Sequence, residues 1–148
     1  MKVNELCVGS YVMYNNNNIF QVTDISRAWP RLEMRYNNKP TVTIFNGGIL
    51  TVGLDEITPL EITEEFLGWN GFEFDYELHG VDDSLKFYEL KLDMFTISIH
   101  EGSNTLGRNW WIHIDNKDCC TMASADIQYV HQLQNILNIC DIELQLIV

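Results

Sequence analysis

The chain is predicted to be an α+β protein, with an N-terminal SH3-like or OB-like small β-barrel, then an antiparallel sheet with a short helix and a C-terminal helix. Three observations predict it. Short apolar runs of period two, parted by Asn- and Gly-rich turns, fill residues 1–60. Longer alternating runs follow between Phe72 and Asp115. Close to the end the period changes to that of a helix, with Tyr129, Val130, Leu133, Ile136, Leu137 and Cys140 on one stripe. With 148 residues, 46 % of them apolar, the chain can bury one sizeable core or two small ones.

Ser10 to Tyr14 and Ile19 to Ile25 flank Asn15-Asn16-Asn17-Asn18, a hairpin turn because Asn tolerates the left-handed backbone. Leu32, Met34 and Tyr36 alternate with Arg31, Glu33 and Arg35 as a third strand. Thr41 to Phe45 joins Ile49 to Val52 through Asn46-Gly47-Gly48. Closing these five strands into a barrel would remove exposed edges. The segment Thr58 to Thr63 is read as leading out of the barrel, because Pro59 cannot donate to a central ladder. Thr63 then caps a short helix through Glu64, Glu65, Phe66 and Leu67, which Gly71 stops. The boundary at residue 60 divides the chain into domains 1–60 and 61–148.

In the second domain Phe72, Phe74, Tyr76 and Leu78 form the apolar side of one strand, and Tyr88, Leu90, Leu92 and Met94 that of the next. The apolar parity switches at Met94-Phe95, so a bulge or a turn is required there. Phe95, Ile97 and Ile99 continue the alternation, Glu101 to Asn109 reads as a polar loop, and Trp110, Ile112 and Ile114 as another strand. A helix from about Asp126 to Asn138, packed on this sheet, and a short apolar tail complete the chain.

Charge narrows the partners. Residues 1–60 carry five basic and five acidic side chains, whereas residues 61–148 carry four basic and sixteen acidic ones, so the net charge of −12 belongs to the second part. Such a surface repels nucleic acid and anionic lipid and attracts basic partners, although solubility alone also accounts for it. The first fourteen residues lack the basic start and apolar run of a secretory signal, and no window is long enough to span a bilayer. A cytoplasmic protein without membrane contact is expected. The four cysteines, Cys7, Cys119, Cys120 and Cys140, form no C-x-x-C and are expected as reduced thiols.

The helix face opposite the apolar stripe carries Gln128, His131, Gln134, Asn135 and Asn138 and no charge. Amides and a neutral imidazole donate and accept hydrogen bonds at a lower desolvation cost than ions, which suits burial beneath the polar loop expected after Cys120 or against a protein partner. The strings NELCVGSYVMY, ITPLEITEEFLGWNGFEF and YVHQLQN, in that order, resemble a family of small gut-bacterial and phage-encoded proteins whose activity is uncharacterised. Asn138-Ile139-Cys140-Asp141 departs from the more Gly-containing, Glu-rich ending of that pattern. The resemblance implies a phage or mobile-element origin and no activity.

Two further constellations of side chains could bind a ligand. Arg27, Trp29, Arg31 and Arg35 join bidentate phosphate donors to a stacking plate, as in modules that bind single-stranded nucleic acid; the alternative is a solvated strand edge. If the strands through Ile97/Ile99 and Ile112/Ile114 pair with their isoleucines on one face, then Ser98, His100, Trp111, His113 and Asp115 share the other. His100, His113 and Asp115 are then weak candidates for a metal, against the alternative of an exposed polar face. No nucleophile, base and orienting group can be named together, and no Gly-rich loop cradles phosphate. The reading is a non-catalytic binding or accessory protein without a cofactor, engaging a protein partner through the amide face or the acidic domain. A nucleic-acid-associated module is the alternative.

Overall fold

The computed structural model describes residues 6–15, 18–26, 41–79, 83–104, 107–118 and 120–148. The described chain forms two five-stranded antiparallel sheets and two short helices, an α+β arrangement. It divides into two compact units: residues 1–61 with 129–135 and 148, and residues 62–128 with 136–147.

In the first unit, β1 (Tyr11–Tyr14) and β2 (Asn18–Ser26) form the hairpin expected from the Asn run. Asn15 takes a positive φ of 52°, which the short polar Asn side chain tolerates. β3 (Thr41–Phe45) and β4 (Ile49–Gly53) form a second hairpin, with Gly47 at φ 68° in its loop. β5 (Ile57–Pro59) follows a single 3-10 turn at Leu54–Glu56, and the sheet order is β4-β3-β2-β1-β5. Val12, Val22, Val42, Ile44, Val52 and Ile57 make the core of this unit. None of these side chains is polar, and all six are β-branched valine or isoleucine on a half-buried pleat.

Two expectations change here. Neither sheet is closed among the described residues, so the barrel is not seen as such. The fifth strand is Ile57–Pro59, not a segment leading out of the sheet; Pro59 stands opposite Val12 at the end of the strand order, where its missing N–H takes no bond from the ladder. The expected strand through Leu32, Met34 and Tyr36 lies outside the described residues.

The second unit begins with α1 (Glu64–Trp69). Thr63 caps it by accepting the Phe66 N–H at 3.1 Å, and Gly71, with φ 79°, ends it. The Asn70 side chain donates to the Phe66 and Ile147 carbonyls and accepts the Ile147 N–H at 2.7 Å, tying the tail of the chain to the end of this helix. The sheet is a meander of β6 (Glu73–His79), β7 (Asp83–Lys91), β8 (Phe95–Asn104), β9 (Gly107–Asn116) and β10 (Thr121–Ile127), in the order β10-β9-β8-β7-β6. The parity switch resolves as a turn between β7 and β8, closed by the Leu92 N–H to Phe95 carbonyl bond at 2.8 Å.

Two more corrections arise. Glu101 to Asn104 and Gly107 to Asn109 belong to strands rather than to a polar loop, because β8 and β9 stay paired as far as Asn104 and Gly107. Asp126 and Ile127 are in β10 rather than in the helix, with Ile127 opposite Trp110 and buried. The helix, α2, therefore runs from Val130 to Ile139. Gln132 accepts the Tyr129 N–H at 3.0 Å, which satisfies an orphan donor at the start of the helix. Val130, Leu133, Leu137 and Cys140 are buried, as the stripe predicts. Residues 129–135 of this segment group with the first unit and residues from 136 with the second.

Candidate binding faces

Because side chains alternate across a strand, the register sorts the second sheet into two faces. Ile97 faces Ile114 and Ile99 faces Ile112, and all four are fully buried. The opposite face of the same strands therefore carries Ser98 beside His113, His100 beside Trp111, and Thr96 beside Asp115. These are the residues that the isoleucine pairing places together, and they lie on the side open to solvent.

Following the register across all five strands gives one cross-sheet row of Asp75, Phe87, His100, Trp111 and Asp126. Three rings stand between two carboxylates. The Phe87 and His100 rings stack at 5.4 Å with 28° between their planes. Trp111 is 53 % exposed, and its Nε1–H donates to the Ser124 hydroxyl at 2.7 Å, which fixes the orientation of the indole. A large apolar ring held open to water is the less common arrangement, since an indole usually buries most of its surface.

The rows through Glu89, Ser98 and His113 and through Lys91, Thr96 and Asp115 are polar. His113 Nε2 lies 3.2 Å from the Asp115 carboxylate and 3.3 Å from the Thr121 hydroxyl. Lys91 pairs with Glu89 at 2.6 Å, and this hydrogen bond and charge hold the ammonium above its ordinary value. A raised folded value means that whatever this exposed pair contributes is present below pH 10.5 and is lost as pH rises past the raised value. Among the described residues no group of three or more His, Cys, Asp and Glu is arranged to hold a metal ion. His100 thus stacks on Phe87, while His113 and Asp115 form a two-member contact with Thr121.

The amide-bearing segment points several ways, and the polar loop expected after Cys120 to cover it is instead the strand β10. Gln134 accepts the Tyr11 N–H at 3.0 Å and donates to the Gly9 carbonyl at 3.1 Å, a clamp on the start of β1 within the first unit. His131 is only 1 % exposed and stacks on Tyr129 at 5.7 Å with 9° between the rings. Gln128 and Asn135 are half-buried, and Asn138 is exposed. Replacing Gln134 by Ala is expected to cost about 1–3 kcal/mol, because the Tyr11 N–H loses its acceptor away from bulk water. Asn138→Ala should stay within about 0.5 kcal/mol. Urea denaturation of the two variants checks the contrast.

Arg27, Trp29, Arg31 and Arg35 lie outside the described residues. Cys7 and Cys120 are exposed free thiols, Cys140 is buried, and Cys119 lies outside the described residues. A shallow cleft of about 500 Å³ in the first unit is lined by Tyr11, Ile19, Phe45 and several amides. Two of those amides are already engaged, Gln21 with the Gly9 carbonyl and Asn46 with the Ile19 carbonyl. No helix among the described residues is long and apolar enough to cross a membrane.

Phe87, Thr96, Thr121, Ser124 and Asp126 are members of the open face that the sequence alone did not mark, and Ser124 and Asp126 are the last two along the chain. The alternation of Ala123, Ala125 and Ile127 with Ser124 and Asp126 is a weak signal for the last two, because a bulge between Thr121 and Ala123 breaks the period of β10. Comparison of the chain with family models, with curated proteins and with solved structures finds no match, so the reading of these faces stands on their own geometry.

Proposed function

We propose that the protein is a non-catalytic binding or accessory protein that engages a protein partner through the open face of its second sheet. One observation carries this reading: the Trp111 indole, half in water yet held in place by Ser124, on a face whose other described side chains, Phe87 apart, are polar. Aromatic residues concentrate the binding energy of protein interfaces, and an oriented ring loses little freedom on binding. The phage or mobile-element setting implied by the resemblance of the three sequence blocks fits an accessory role of this kind. A cytoplasmic location fits reduced cysteines.

For the first unit we propose an SH3-like roll. The meander order β4-β3-β2-β1-β5, with a 3-10 turn leading into a short last strand, supports it. The alternative, a nucleic-acid-associated module, rests on Trp29 and the arginines, which lie outside the described residues.

Site-specific photo-cross-linking from position Thr96, beside Asp115 on the open face, tests the proposal. Expressed in its own host, the protein should yield a discrete protein adduct that disappears with Trp111→Ala. Absence of any protein adduct from this face, with a cross-linker shown to be active, would contradict it.

A further inference from the structure

We propose that the occupant of this open face is a cationic protein segment rich in arginine, with Trp111 as its stacking plate. The inference deepens the protein-binding reading and rests on it. It starts from the row that runs across the sheet, in which Asp75 and Asp126 bracket the rings of Phe87, His100 and Trp111. Five strands spaced at about 4.8 Å make that row roughly 19 Å long, the reach of about six residues of extended chain.

Charge selects the sign of the partner. The described side chains of this face include five carboxylates, Glu73, Asp75, Glu89, Asp115 and Asp126, against the single ammonium of Lys91, which is already paired with Glu89. An anionic segment would be repelled, and a neutral one would leave the net negative charge of the face unbalanced as water is excluded. A cationic one is attracted at a distance and compensated on contact.

The aromatic row selects arginine over lysine. A guanidinium is planar and weakly hydrated, so it stacks on an indole face while its edge still donates to a carboxylate. Asp126 stands directly opposite Trp111 on β10, one strand spacing away, so one arginine can meet both. The Ser124 hydroxyl already holds the indole, so the plate is formed before the partner arrives. A lysine ammonium finds the charge and forgoes the stacking.

Titration of the intact protein with short peptides of alternating serine and arginine, serine and lysine, or serine and glutamate tests this, read by calorimetry. The arginine peptide should bind, the lysine peptide more weakly, and the glutamate peptide not at all. Trp111→Ala should weaken arginine-peptide binding about tenfold or more, with Trp111→Phe recovering part of it. Asp126→Asn should lower both the affinity and its dependence on salt. All three substitutions are on the exposed face, and circular dichroism establishes that each variant is folded. No arginine-peptide binding by the wild type at low salt would overturn the inference. So would equal affinity for arginine and lysine peptides that ignores Trp111→Ala, or a neutral oligosaccharide that binds at Trp111 in their place. A cross-linked protein partner that excess arginine peptide fails to displace would overturn the cationic assignment alone, and absence of a protein adduct despite peptide binding would overturn only the protein-partner reading.

Discussion

Replacing Trp110 by alanine is expected to destabilise the protein by about 3–5 kcal/mol, the range for deleting a large buried aromatic. Its side chain is 2 % exposed, its Nε1–H donates to the Ile62 carbonyl at 3.0 Å, and its ring meets that of Tyr88 edge to face at 5.8 Å. Losing the ring empties space between β9 and the segment leading into α1, and leaves a buried carbonyl unpaired. Trp110→Phe separates the two effects: it keeps most of the volume and removes only the hydrogen bond, so it should cost about 1–3 kcal/mol. Trp111→Ala, one residue on, should change stability by about 0.5 kcal/mol or less beyond its Ser124 bond, since its ring is already in water. Urea denaturation of the three variants reads the series. Equal losses at positions 110 and 111 would show that the two faces of the sheet are not what the register makes them.

The second large effect is expected at Leu133→Ala, at about 2–5 kcal/mol. Leu133 is fully buried in the middle of α2, and alanine is the better helix former, so any loss reflects packing rather than helix propensity. Ile139, which ends the same helix and is 83 % exposed, supplies the control: Ile139→Ala should be neutral or slightly stabilising. A helix whose apolar stripe lay in solvent would reverse that order, with Leu133→Ala as harmless as Ile139→Ala.

Local chemistry carried much of the fold into view. Asn15 and Gly47 mark their turns because they can take a positive φ, and Thr63 marks a helix start because its hydroxyl satisfies an orphan N–H. Period-two alternation through Ile97, Ile99, Ile112 and Ile114 was enough to place Ser98, His100, Trp111, His113 and Asp115 on one face once the strands were paired. What stayed hidden depends on partners remote in sequence. Pro59 reads as a break unless its strand is known to lie at an edge. Residues Thr121–Ile127 mix Ala, Ser and Asp with Met, so they lack the β-branched contrast that announces a strand, and with β10 unread Ser124 and Asp126 could not be set beside Trp111. Gln134 looks like a surface amide until Gly9, 125 residues earlier, is brought against it.

The central claim is that the pair Trp110-Trp111 divides the second sheet into a core face and a binding face, because a slip of one residue would exchange every side chain between them. Hydrogen exchange of the two indole N–H protons, followed by nuclear magnetic resonance on tryptophan-labelled protein, tests it directly. The Trp110 proton, bonded to a buried carbonyl, should exchange about a hundredfold or more slowly than that of Trp111, bonded to an exposed hydroxyl. Comparable rates, or a slower Trp111, would contradict the account.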